Sequence, residues 1–216
     1  MLETYRVVYS GGEKEIVEKK SRFIATIFPI NTEEEANDFI EKVRKKHFNA
    51  SHHCFSYVIG DKHQIQRISD DGEPSGTAGR PMLDVLLGED IHNVLVVVTR
   101  YFGGTLLGTG GLVRAYSKAV QAGLTNSIIL EKRLGVNYTI QTDYNGIGKV
   151  QYIIGQLEFI MLDTEYTDIV KADVLVPIKD CNQFEQKVTE ATNGKAKIVR
   201  VKEMYFGIVQ GNVIFF

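Results

Sequence analysis

Apolar and polar residues alternate along "TYRVVYS" (4–10), "EKEIVEKK" (13–20) and "RFIATIFPI" (22–30), the two-residue period of strands that bury one face. Gly11-Gly12 between the first two predicts a hairpin turn, since glycine takes positive φ without steric cost. Over 32–47 the period lengthens to that of a helix. Its acids ("EEE") come first and its bases ("RKK") last, as the helix macrodipole favours, so the basic run 42–48 reads as a solvated helix end. "HHCFSYVIG" (52–60) and "HQIQRIS" (63–69), joined through "DK", predict a second hairpin, with His52 and Cys54 on one face and His53 and Phe55 on the other. A short helix is predicted from about Thr77 to Leu87, with Pro81 near its first turn. "NVLVVVTRYF" (93–102) is continuously apolar and predicts a strand buried on both faces. In the long helix expected from about Gly111 to Asn126, Leu112, Tyr116, Ala119, Val120 and Gly123 share one face, and Arg114, Lys118 and Gln121 fall away from it.

From about residue 130 the order becomes strand, helix, strand, strand, helix, strand, the split βαβ arrangement of ferredoxin-like domains. The expected class is α+β in two domains, 1–130 and 131–216, with the boundary within 127–134.

Composition changes this picture little. The 216 residues are 44% hydrophobic and 24% charged, as in ordinary globular chains. Fifteen cations face sixteen anions up to residue 130 and ten face eleven after it, which argues against an extended basic face and against sequence-specific DNA binding. No apolar run approaches the roughly 20 residues of a membrane span, and the first residues lack the basic-then-apolar order of a signal peptide, so the expectation is cytoplasmic, without a membrane partner. Cys54 and Cys181 stand alone, so neither a disulfide nor a zinc framework is expected.

Two segments carry more chemistry than turns need. "ISDDGEPSGTAGRPM" (68–82) gathers three carboxylates beside glycines, where Ser75 or Thr77 could cap the following helix. Such carboxylates suit Mg²⁺, but nothing fixes a ligand geometry, and no metal or cofactor is expected. "TRYFGGTLLGTGGLVRAY" (99–116) offers backbone N–H groups at a helix start, which attracts anions. It is neither a P-loop, which needs Lys where Thr109 stands, nor a dinucleotide fingerprint, which needs a third glycine. Arg114, expected in the first helical turn, opposes the dipole, so it either pairs with an acid or serves an external anion. Arg80 and Arg100 could converge with it, or the three could simply neutralise Asp70, Asp71 and Glu73. His52 beside Cys54 raises thiol catalysis, against which a half-buried structural cysteine is the more ordinary reading.

These two segments, with "NVLVVVTRYFGG" leading into the second, resemble the signature of the IMPACT family in its bacterial YigZ/YvyE branch, over about residues 15–125. The second half is similar to the C-terminal domain of that branch. The resemblance implies a ribosomal-protein-like βαβ sandwich (second-domain type) shared with a late domain of the translocation elongation factor, followed by a ferredoxin-like domain similar to that factor's last. It also implies a role in translation: eukaryotic relatives regulate it through a kinase activator, but carry an RWD domain not read in these residues, so that pathway is not transferred. By motif position the candidate surface comprises His52, Asp70, Asp71, Gly72, Glu73, Gly76, Arg80, Arg100, Tyr101, Gly103, Gly104, Gly108, Gly110, Gly111 and Arg114. The expected function is a non-enzymatic binding protein contacting the ribosome, RNA or a translation-factor protein. The alternative is a hydrolase of phosphorylated or peptide substrates that uses the Asp/Arg cluster, with no catalytic residue assigned.

Overall fold

A continuous apolar strand needs cover on both faces, and β7 (Val94–Tyr101) receives it at the centre of a five-stranded sheet in the computed structural model, which describes residues 2–216. The contacts divide the chain into two units, Tyr5–Glu131 and Leu2–Thr4 with Lys132–Phe216. In the first, β1 (Thr4–Ser10), β2 (Glu13–Glu18), β3 (Ser21–Pro29), α1 (Glu33–Lys46), β4 (His52–Ile59), β5 (Ile65–Ser69), α2 (Gly79–Gly88) and β6 (Ile91–His92) precede β7, and α3 (Thr109–Thr125) follows it. The sheet order is β2-β3-β7-β4-β5, every pair antiparallel. Val94, Val96 and Val98 face α2 and α3 together with Phe23, Ala25, Ile27 and Cys54. Leu95 and Val97 face α1 with Tyr57 and Ile59. The sheet is thus sandwiched, and each helix supplies its apolar stripe.

Capping explains where α1 starts: Thr32 accepts from the Glu35 amide at 3.1 Å, and the Glu35 carboxylate reaches back to the Asn31 amide at 2.6 Å. One expectation fails. Gly11-Gly12 does not turn β1 into a hairpin with β2; β1 instead pairs in parallel with β6, and β2 pairs with β3. The glycines serve close approach: a Cβ on Gly11 would lie 1.9 Å from the Ile27 carbonyl oxygen, and one on Gly12 2.2 Å from that of Asn126. The β2–β3 turn is made by Lys19 and Lys20, both left-handed (φ 45° and 69°).

The second unit contains β8 (Ile128–Thr142) from Lys132 onward, then α4 (Tyr144–Gln156), β9 (Ile160–Tyr166), β10 (Val170–Pro177), α5 (Cys181–Ala191), β11 (Lys197–Val209) and β12 (Asn212–Phe215). Its antiparallel order β9-β10-β8-β11 is ferredoxin-like, with α4 and α5 packed over Val136, Tyr138, Ile140, Val174 and Val176. The edge strand β12, a hairpin partner of β11, was not legible in the pattern. No helix among the described residues is long and apolar enough to cross a membrane.

Candidate functional site

The loop 70–78 lies against the start of β4, the end of β7 and α3, and its three carboxylates are all engaged. Asp70 caps α2 from a distance: its oxygens accept from the amides of Gly76 (2.8 Å), Ala78 (3.0 Å) and Gly79 (2.8 Å). The helix begins at Gly79 and its cap residue Ala78 has no side-chain acceptor, so Asp70 does what Ser75 or Thr77 were expected to do. Burial alone would raise the Asp70 carboxyl; these amide bonds outweigh it and hold it below the usual range. Asp71, at φ 42°, accepts from the His53 amide at 2.6 Å, where β5 no longer covers the edge of β4, and lies 3.4 Å from the Arg44 guanidinium. Its carbonyl meets His52 Nδ1 at 2.8 Å, beside Gly72 at φ 86°.

Glu73 goes furthest inward. Its side chain is 3% exposed and that of Arg100 6%, and Arg100 Nη1 donates to Glu73 Oε1 at 2.6 Å. The Tyr116 hydroxyl donates to the same oxygen at 2.8 Å, and His52 Nε2 lies 3.9 Å from it. Arg100 Nη2 reaches Ser21 Oγ at 3.3 Å, which also accepts from the Gly103 amide at 3.2 Å. One buried ion pair therefore ties both loops to β3, β7 and α3. Phe23 walls the pair, its ring 5.3 Å from the Arg100 guanidinium and edge-on to Tyr116 at 5.2 Å. Cys54 Sγ sits 3.0 Å from the Asp70 carbonyl and 3.3 Å from the Tyr116 hydroxyl; burial pushes its thiol up to about 12, which removes it as a nucleophile at neutral pH.

The glycine-rich segment lies outward. Gly103 has no room for a side chain, since a Cβ would lie 2.1 Å from the Lys20 carbonyl carbon, whereas Gly104 (φ 79°) and Gly108 (φ 73°) are open to solvent and left-handed. Phe102 is 50% and Leu106 82% exposed. α3 begins at Thr109, so Gly110 and Gly111 occupy its first turn and Arg114 its second, one turn later than the sequence suggested. Among the described residues Arg114 has no carboxylate within ion-pair distance. It borders a cleft of about 280 Å³ with Lys19, Lys118, Glu18 and Leu107, in which Lys118 is bonded to Glu18 at 2.7 Å.

The structure thus gathers His52, Asp70, Asp71, Gly72, Glu73, Gly76, Arg100 and Gly103 into one bonded assembly. Arg80 stands apart, paired along α2 with Asp84 at 2.8 Å, and Tyr101 belongs to a neighbouring group with His47 (3.0 Å) and Asn49 (3.3 Å). The three arginines do not converge: Arg100 neutralises Glu73, Arg80 pairs with Asp84, and Arg114 stays outside, while a fourth, Arg44, approaches Asp71. Ser21 and Tyr116 were missed as members. Tyr116 carried a signal, because a tyrosine on a helix's buried face needs a partner for its hydroxyl; Ser21 carried none.

Residues 19–124 match the Impact N-terminal domain, and residues 140–195 match a domain of unknown function, DUF1949. The chain is 44% identical over 198 residues to the IMPACT family member YvyE of Bacillus subtilis, covering 92% of this chain and 91% of that one. It is 36% identical over 187 residues to the IMPACT family member YigZ of Escherichia coli (86% and 92%). Protein IMPACT of Xenopus laevis shares 33% identity over 114 residues, 46% of this chain and 36% of that one. A crystal structure of a hypothetical protein, 34% identical, superposes at a TM-score of 0.60 over 94% of this chain and 99% of that one. With 44% and 36% identity over most of its length to YvyE and YigZ, the chain that carries this loop of bonded acids beside an outward glycine-rich helix start belongs to the IMPACT family.

Proposed function

We propose that the chain is a translation-associated binding protein that docks on the ribosome through the outer surface of its first unit: the glycine-rich segment 103–111, Phe102, Leu106 and the cationic cleft at Arg114. The observation that carries this reading is the division of labour at the site. Asp70, Asp71 and Glu73 are spent on amides and on Arg100, while Arg114, with no carboxylate partner among the described residues, faces solvent on the helix that follows the segment bearing the exposed Phe102 and Leu106. A rigid loop pair with a free cation and open N–H groups suits an RNA phosphate, with apolar contact at its flank.

The translational setting comes from family membership; the choice of ribosome comes from the cationic cleft. The hydrolase alternative would require a general base, and each carboxylate would have to leave its present bonds to supply one: Asp70 those that cap α2, Asp71 that to β4, and Glu73 those to Arg100 and Tyr116. Co-sedimentation with ribosomes and with bare ribosomal RNA across a salt series tests the proposal. Binding to ribosomes that weakens steeply with salt supports it; no binding at low salt overturns it, and salt-insensitive binding would move the contact to a protein component.

A further inference from the structure

Away from this surface, two turns of the first unit bring three metal-ligating side chains together. His63 lies in the β4–β5 turn, Asp90 follows α2, and His92 is on β6; one ligand atom of each lies within 4.8 Å of the others. The histidine rings stack at 3.9 Å between centroids, 26° from parallel. His92 Nδ1 lies 3.1 Å from the Gly60 carbonyl, to which it must donate, so Nε2 carries the lone pair in the neutral ring. That lone pair faces Asp90 Oδ1 at 3.3 Å, an acceptor facing an acceptor. Among the described residues, His63 Nε2 has no hydrogen-bond partner and is buried beside them.

The surroundings hold this arrangement in place. The Gly60 amide donates to Asn93 Oδ1 at 2.8 Å, so the carbonyl that orients His92 is fixed from its own residue's other side. The Tyr5 ring meets His92 edge-on at 5.3 Å. His63, Asp90 and Asn93 all adopt left-handed backbone (φ 50°, 50° and 53°), which histidine and asparagine or aspartate tolerate better than most residues. A His side chain only 4% exposed and an Asp 73% exposed give the group a dry floor and an open mouth.

We infer that His63, Asp90 and His92 form a binding site for a divalent transition metal of the zinc type, which clamps the β4–β5 turn to the α2–β6 corner. Two imidazoles and one carboxylate are the donor set such an ion takes, with the His92–Gly60 bond as the outer support that fixes ring and tautomer. Ligands about 2.0–2.1 Å from the metal stand about 3.3 Å from one another in a tetrahedron, so binding turns the His63 ring out of its stack on His92 and swings the exposed Asp90 inward, and water completes the shell. Magnesium is disfavoured, because it takes oxygen ligands in a near-ideal octahedron.

The test is titration of the metal-free full chain with Zn²⁺, with Mg²⁺ as comparison, followed by calorimetry and by the visible spectrum of the Co²⁺ form. Zinc should bind at one ion per chain and raise the melting temperature, with no response to magnesium. His63→Asn and Asp90→Asn, both suited to left-handed backbone, should each weaken zinc at least tenfold and abolish the four-coordinate cobalt bands. Histidine NMR of the wild type adds a readout independent of any variant: of five imidazoles, those of His63 and His92 should shift on zinc addition. No stoichiometric zinc binding, zinc affinity unchanged in the folded variants (as binding to Cys54 or Cys181 would give), or shifts confined to other histidines would each overturn the inference.

Discussion

Replacing Arg100 by methionine leaves the Glu73 carboxylate almost fully buried, with the Tyr116 hydroxyl as its near donor and His52 Nε2 at 3.9 Å. Removing one partner of a buried ion pair costs about 3–5 kcal/mol. Methionine keeps much of the packing on Phe23 and Phe102, so the loss is electrostatic rather than a cavity. For a unit of about 130 residues, about 4 °C per kcal/mol converts this to a fall of about 12–20 °C in its melting temperature. Pairing Arg100→Met with Glu73→Gln removes both charges, so no uncompensated carboxylate stays buried. The double variant should therefore recover at least about 2 kcal/mol of the Arg100→Met loss. Urea unfolding of the four proteins of this cycle measures both quantities. A loss under about 1 kcal/mol for Arg100→Met, or strict additivity in the double variant, would refute the claim that this pair ties the two loops together.

Other outcomes follow from the same geometry. Asp70→Ala should cost about 2 kcal/mol or more in urea unfolding, since three amides lose their acceptor. The folded Asp70 carboxyl titrates below its unfolded value of 3.8, so its contribution is present above about pH 4 and lost as pH falls through the folded value; Asp70→Asn should flatten that part of the acid-unfolding curve. Cys54 should resist a thiol-specific disulfide reagent at pH 8 in the native protein and react once urea unfolds it; rapid native modification of Cys54 would contradict its burial. Gly103→Ala should destabilise by several kcal/mol because its Cβ meets the Lys20–Ser21 backbone, whereas Gly108→Ala, open but left-handed, should cost only about 1–2 kcal/mol by the same assay.

Period and burial were the most legible features of the sequence. The two faces of β7, the buried stripe of α3 and the βαββαβ order of the second unit all follow from where apolar residues recur. Glycines misled where their reason was space rather than turning: Gly11-Gly12 looks like a hairpin, yet answers to the backbones of Ile27 and Asn126, distant in sequence. The candidate residues could be gathered from their motifs, but their roles could not. Asp70 caps a helix that starts nine residues ahead of it, and Arg100 lies near the end of a buried strand and must be paired, which only the fold reveals. The His63–Asp90–His92 group spans two turns that share no local pattern.

Equilibrium pelleting with ribosomes of the wild type and of an Arg114→Ala/Lys118→Ala variant, across a salt series and with folding checked by circular dichroism, tests the proposed docking surface most directly. The account predicts that the variant binds at least tenfold more weakly at low salt, and that its slope of log affinity against log salt falls by about 1–2, the loss of one or two phosphate contacts. An affinity and slope equal to the wild type's would contradict the placement of the contact at this cleft.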